Sequence, residues 1–118
     1  MIELDADPTL HAAATAALAA ARVGDGHLSI EFVDAERMRE LNRVHRGIDQ
    51  PTDVLSFPVD QRGPVSGPRE LGDVVICREY THDVTEAVVH GVLHLCGYDH
   101  ETDDGEMLEL QDRILACL

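Results

Sequence analysis

The chain has 118 residues, which argues for one domain with a modest core. Its formal net charge is −14 and all nine of its cations are Arg, which argues against non-specific DNA binding through a broad basic surface. Phe32, Phe57, Tyr80 and Tyr98 are its only aromatic residues besides histidine, so the core must be aliphatic and base-stacking platforms few.

Residues 2–5 alternate and read as an edge strand. Asp7-Pro8 opens a helix, with Asp7 as cap and Pro8 in the first turn, and the Ala-rich run to Arg22 continues it until Gly24. Residues 27–33 place Leu28, Ile30 and Phe32 on one face of a strand. Asp34 caps a second helix over 35–45, with Met38, Leu41 and Val44 as its expected buried side, closed by Arg46-Gly47. Residues 47–52 are a loop, 53–57 a strand stopped by Pro58, and 60–70 an irregular loop rich in Gly and Pro. A buried strand follows over 72–77, then a helix from Thr85 to about Leu95 and a last helix over about 103–115. This order predicts an α+β fold: one domain over residues 1–118, with a small mixed β-sheet packed with helices.

The charge is uneven. Arg37, Arg39, Arg43 and Arg46 cluster, while seven acids lie between Asp99 and Asp112. Cys77, Cys96 and Cys117 have no motif spacing and suit reduced, packed thiols. With an acidic N-terminus lacking signal-peptide order and no run of membrane-spanning length, the expected location is the cytoplasm, with no membrane partner.

The chemistry concentrates in His90-Gly91-Val92-Leu93-His94-Leu95-Cys96-Gly97-Tyr98-Asp99-His100. His90 and His94, four apart on a helix, project from one face and can grip one ion. Gly97 lies on that face without a side chain and permits a left-handed turn that returns the chain, bringing His100 toward the pair. Three neutral imidazoles with one open position form a catalytic zinc arrangement, so the expected cofactor is one Zn²⁺ per chain, with copper the nearest competitor. The spacing equals that of the metzincin peptidases, but Gly91 stands where they carry the glutamate base, which disfavours peptide hydrolysis. A metal there can still acidify bound water to a pKa of about 7 and polarise a substrate oxygen.

The segment HGVLHLCGYDH resembles the signature of the YbeY family of bacterial endoribonucleases, also called rRNA maturation factors. His45-Arg46-Gly47-Ile48-Asp49-Gln50-Pro51-Thr52-Asp53-Val54-Leu55-Ser56-Phe57-Pro58 and Leu71-Gly72-Asp73-Val74-Val75-Ile76-Cys77 resemble two further family blocks, in the family's order. The resemblance implies a metal-dependent endoribonuclease acting on single-stranded RNA, in 16S rRNA 3′-end maturation and ribosome quality control. It implies His90, His94 and His100 as zinc ligands and Arg46 as the arginine of catalysis or phosphate binding. The implied partners are the 16S rRNA precursor, the small ribosomal subunit and its assembly proteins, with no DNA. Only Cys77 to Val84 separate Ile76 from the zinc helix, where the family carries a longer, largely helical stretch, so a helix is expected to be shortened or missing.

The residues support Arg46 separately, because a guanidinium binds phosphate through paired donors and stays charged. Arg39 and Arg43 share its helix face and read as solvated, paired with Glu36 and Glu40. Asp99 can orient a ligand imidazole or simply shape its turn; Ser56 and Asp53 can reach substrate or cap a turn. Tyr98 and Cys96 read as packing residues, and His45 as a surface residue. The acids from Glu101 to Glu109 would repel RNA, so substrate is expected from the Arg46 side. Two other functions remain open: a non-catalytic ribosome-assembly module whose zinc only closes the fold, and a metallopeptidase-like hydrolase. Within the nuclease reading, either water or a 2′-hydroxyl can be the nucleophile.

Overall fold

The structure, a computed structural model, describes residues 2–59, 70–99 and 101–118. The expected 60–70 loop and His100 thus fall outside the described residues, apart from Glu70.

Period-2 patterning at Ile2–Asp5 (β1) and Gly26–Phe32 (β2) yields two parallel strands joined through helix α1, His11–Ala20. The Asp7 carboxylate accepts from Thr9 N at 2.9 Å and opens a single 3₁₀ turn over Pro8–Leu10 before α1. Gly24 does not end this helix. Arg22 takes the left-handed conformation (φ 61°), and Val23 N donates to Leu18 O at 2.9 Å, which satisfies a terminal carbonyl two residues earlier.

Helix α2 spans Ala35–Arg46; Asp34 accepts from Arg37 N at 2.8 Å, and Gly47 closes it at φ 71°. Met38 is fully buried and Leu41 half-buried, but Val44 is 62 % exposed and Asn42 is buried instead. Helical geometry accounts for this difference. At about 100° per residue Val44 points roughly 120° from Met38, whereas Asn42 lies within about 40° of it. Asn42 then holds the returning loop, its Nδ2 donating to Gln50 O at 2.8 Å.

Strand β3 (Val54–Pro58) pairs antiparallel with β4 (Glu70–Ile76), and β4 runs parallel to β2, giving the sheet order β1-β2-β4-β3. β4 is an interior strand with apolar residues on both faces. Val74 and Ile76 join the core beneath α1 and α3, while Val75 and Cys77 pack with Met38 and Leu55 on the α2 side. Helix α3 (Val84–Leu95) packs against α1, β3 and β4, and α4 (Glu106–Ala116) packs on α3 and α1. Asp83 caps α3, accepting from Glu86 N at 3.2 Å, so the helix starts at Val84, one residue before the expected Thr85.

The result is an α+β domain with a mixed four-stranded sheet and four α-helices among the described residues. Its radius of gyration, 13.7 Å, is that of one compact domain of this length. Among the described residues no helix is long and apolar enough to cross a membrane. Of the three free cysteines Cys77 is buried, Cys96 half-buried and Cys117 exposed, so Cys117 is not the packed thiol expected.

Candidate active site

Helix α3 is buried over most of its circumference: Ala87, Val88, Val89, Gly91, Val92, Leu93 and Leu95 all face protein. Such a helix is held by packing, so its few polar side chains are placed with little freedom. His90 and His94 form its polar stripe and open into a cleft of about 1030 Å³. Their Nε2 atoms lie 3.2 Å apart, with ring planes at 74°.

Gln111, buried on α4, fixes the first of these rings. His90 Nδ1 lies 2.8 Å from Gln111 Oε1. An amide oxygen only accepts, so Nδ1 is the donor there, and a ring with its single proton on Nδ1 presents a lone pair at Nε2, toward His94. Two ligand nitrogens of a tetrahedral ion with bonds of about 2.0–2.1 Å lie roughly 3.3–3.4 Å apart. The observed pair matches that edge, so this donor set fits a zinc ion. The position near the C-terminal end of α3 adds a negative helix-dipole end that favours a cation. Among the described residues no group of three His, Cys, Asp or Glu converges on one point. His100, the expected third ligand, lies outside them.

The helix ends as its sequence predicts. Gly97 is left-handed at φ 99°, and Tyr98 N donates to Leu93 O at 3.1 Å. Tyr98 packs on the core and lines the cleft. Asp99 shapes the turn: its Oδ1 accepts from Glu101 N at 3.0 Å, and its carbonyl from Asp103 N at 3.1 Å. For His90 the imidazole-orienting role falls to Gln111. The signal for it was present, since Gln111 interrupts the apolar stripe Met107–Ile114 of α4.

Arg46, at the end of α2, lines the same cleft as His90 and His94. Among the described residues no carboxylate pairs with it. Its neighbours differ. Arg39 forks onto Asp49 (2.7 and 2.9 Å), and its hydrogen bonds hold the Asp49 carboxyl below its usual range. Arg37, not Arg39 or Arg43, pairs with a helix glutamate, Glu40, at 3.1 Å. Arg39 therefore pins the 47–52 loop, while Arg46 remains available to a ligand. His45 packs its ring on Phe57, with centroids 4.5 Å apart, and does not line the cleft.

Ser56 Oγ donates to Gly91 O at 2.9 Å, tying β3 to α3. Asp53 lines the cleft wall and accepts from Val54 N at 2.8 Å. Burial pushes the Cys96 thiol up to about 11, so it stays protonated and unreactive at neutral pH. Asp99 and Glu101 make one part of the cleft acidic, and Glu86, one turn before His90, also reaches it; the sequence reading had not singled out Glu86.

Replacing Gln111 by Leu removes the acceptor that orients His90. Zinc affinity, measured by competition with a chelator, is expected to fall about 10–100-fold, the usual cost of losing such a partner, while Gln111→Glu retains binding. Equal affinity in Gln111→Leu and wild type would show that the bond does not orient the ring.

A family model described as Endoribonuclease YbeY matches residues 3–118. Relatives of that name include one from Nitrobacter hamburgensis, 43 % identical over 113 positions covering 80 % of this chain and 60 % of its own. Another, from Bradyrhizobium, is 41 % identical over 134 positions, covering 97 % of this chain and 79 % of its own. The chain thus spans less than two thirds of the length of the Nitrobacter relative. The Bradyrhizobium alignment is longer than the chain's own 118 residues, so that relative carries residues with no counterpart here. In this chain the connection from β4 to α3 holds only one 3₁₀ turn, Arg78–Tyr80. A solution structure from Thermotoga maritima superposes with a TM-score of 0.55 at 28 % identity, covering 98 % of this chain and 87 % of that one. On the family match and these identities, the chain belongs to the YbeY family of endoribonucleases.

Proposed function

We propose that this protein is a zinc-dependent endoribonuclease that cuts single-stranded RNA, acting in the cytoplasm on the 3′ end of the 16S rRNA precursor with the small ribosomal subunit and its assembly proteins as partners. The observation that carries the reading is the opposed Nε2 pair of His90 and His94, 3.2 Å apart, in one cleft with Arg46. His90 and His94 would hold the ion, with His100 as third ligand. An ion held there would supply Lewis-acid polarisation of a phosphate oxygen and would lower the pKa of a hydroxyl beside it.

The chain's own residues do the rest. Gln111 keeps the His90 proton on Nδ1 and its lone pair on the ion side. Arg46 binds the non-bridging oxygens of the scissile phosphate through paired donors and stabilises the charge that develops there. Buried α3 holds both rings still. Among the described residues that line the cleft Arg46 is the one arginine, beside the acids Asp53, Asp83, Glu86, Asp99 and Glu101, which would direct the RNA backbone toward it.

Gly91 supports this reading over a peptidase. A Cβ at Gly91 would lie 2.6 Å from Val74 Cγ1, so the position that carries the metzincin glutamate faces the sheet and not the cleft.

The test is cleavage of an unstructured RNA by metal-quantified protein, beside a folded His94→Ala variant. The expected result is cleavage by wild type and its loss in the variant, with a 2′,3′-cyclic phosphate end identifying the 2′-hydroxyl as nucleophile. A folded protein holding one metal that cuts no RNA, even with small ribosomal subunits added, would overturn the reading in favour of an assembly module. Metal-dependent cleavage of casein instead would favour a peptidase.

A further inference from the structure

Among the described residues β3 is an edge strand, and its residues Val54, Leu55, Ser56 and Pro58 line the cleft. Its register fixes which backbone groups lie on that open side. Cys77 N donates to Asp53 O and Val59 N to Leu71 O, so the odd-numbered residues exchange bonds with β4. The even-numbered residues Val54, Ser56 and Pro58 therefore turn their backbone groups outward.

Those outward groups are not a complete strand edge. Val54 N–H is taken by the Asp53 carboxylate at 2.8 Å, and Pro58 has no N–H. Among the described residues no hydrogen bond uses the Ser56 N–H. An added peptide strand would find one donor where it needs a series, so this edge is blunted against strand pairing. Besides the Val54 and Pro58 carbonyls, what remains is the one free donor, the Ser56 N–H, with the Ser56 C=O beside it, on a residue that lines the cleft with Arg46 and the histidine pair.

We propose that the Ser56 backbone pair docks the Watson–Crick edge of one base of a single-stranded RNA. Every base offers a donor beside an acceptor on that edge: N3–H and O4 in uracil, N1–H and O6 in guanine, N6–H and N1 in adenine, N4–H and N3 in cytosine. The contact would therefore accept any base, yet reject a duplex, in which that edge is already paired. Selection for single strands would then come from two main-chain atoms, with Arg46 holding the phosphate. This rests on the proposed RNA substrate.

The experiment is amide NMR of the zinc-loaded full chain, titrated with a 2′-O-methyl hexauridylate. The Ser56 amide proton is expected to move downfield and to exchange more slowly with solvent. The same oligomer built from N3-methyluridine keeps every phosphate and ribose but blocks the base edge, and it is expected to leave the Ser56 amide unshifted. A Ser56 shift of equal size with the N3-methyl oligomer would overturn base docking. So would shifts at Arg46 and the histidines without one at Ser56; in that case RNA binding itself stands. An absence of shifts throughout the cleft, together with no cleavage of RNA, would instead remove the RNA reading and this inference with it.

Discussion

Gly91→Glu is expected to leave the protein unfolded, and Gly91→Ala to destabilise it by about 1–3 kcal/mol, the usual range for an overpacked core. A Cβ here meets Val74 Cγ1 at 2.6 Å and both Ser56 Oγ and Val54 Cγ2 at 3.3 Å. Val74 is fully buried on an interior strand, and a β-branched side chain there cannot swing away. The gain in helix propensity from Gly to Ala, about 1 kcal/mol, offsets only part of this cost. A glutamate would add a carboxylate among apolar groups, with a desolvation cost of several kcal/mol that is a large share of a total stability of about 5–15 kcal/mol. Urea titration of both variants measures this. A Gly91→Glu protein within 1 kcal/mol of wild type would mean that α3 can roll on the sheet, and would reopen the peptidase reading.

Arg46→Ala is expected to lower kcat/KM for RNA cleavage about 100–1000-fold, the scale set by removing one preorganised charge-stabilising donor, or about 2.7–4 kcal/mol of transition-state stabilisation. Arg46 is exposed, and among the described residues it pairs with no carboxylate, so the variant should melt with wild type. Arg46→Lys keeps the charge but loses the planar fork, so it should recover only part of the rate. Arg39→Ala is the informative contrast. It frees Asp49 and loosens the 47–52 loop without removing a cation that lines the cleft. If Arg46→Ala keeps more than a third of the wild-type rate, Arg46 does not hold the scissile phosphate.

Much of this architecture is legible in short-range chemistry. Asp34 and Gly47 mark α2, because a carboxylate cap and a left-handed glycine act within a few residues. The opposition of His90 and His94 follows from helical spacing alone, and the Gly97 turn from its lack of a Cβ. What escaped depends on tertiary contact. Helical spacing alone turns Val44 away from Met38, but the burial of a polar Asn42 in its place depends on the 47–52 loop folding back to accept its hydrogen bond. The acceptor that orients His90 lies 21 residues on, at Gln111, and meets the ring only because α4 docks on α3. The parity of β3, which decides that Ser56 and not Leu55 turns its amide outward, is set by pairing with β4 and cannot be read from β3 alone.

The bond between His90 and Gln111 also makes the last helix a party to whatever the histidines hold. An ion bound to a correctly oriented His90 favours the docked state of α4 over the undocked one, and by the same linkage each excursion of α4 away from α3 weakens the grip on the ion. Occupancy of the site and order in the C-terminal helix would then be two readings of a single equilibrium.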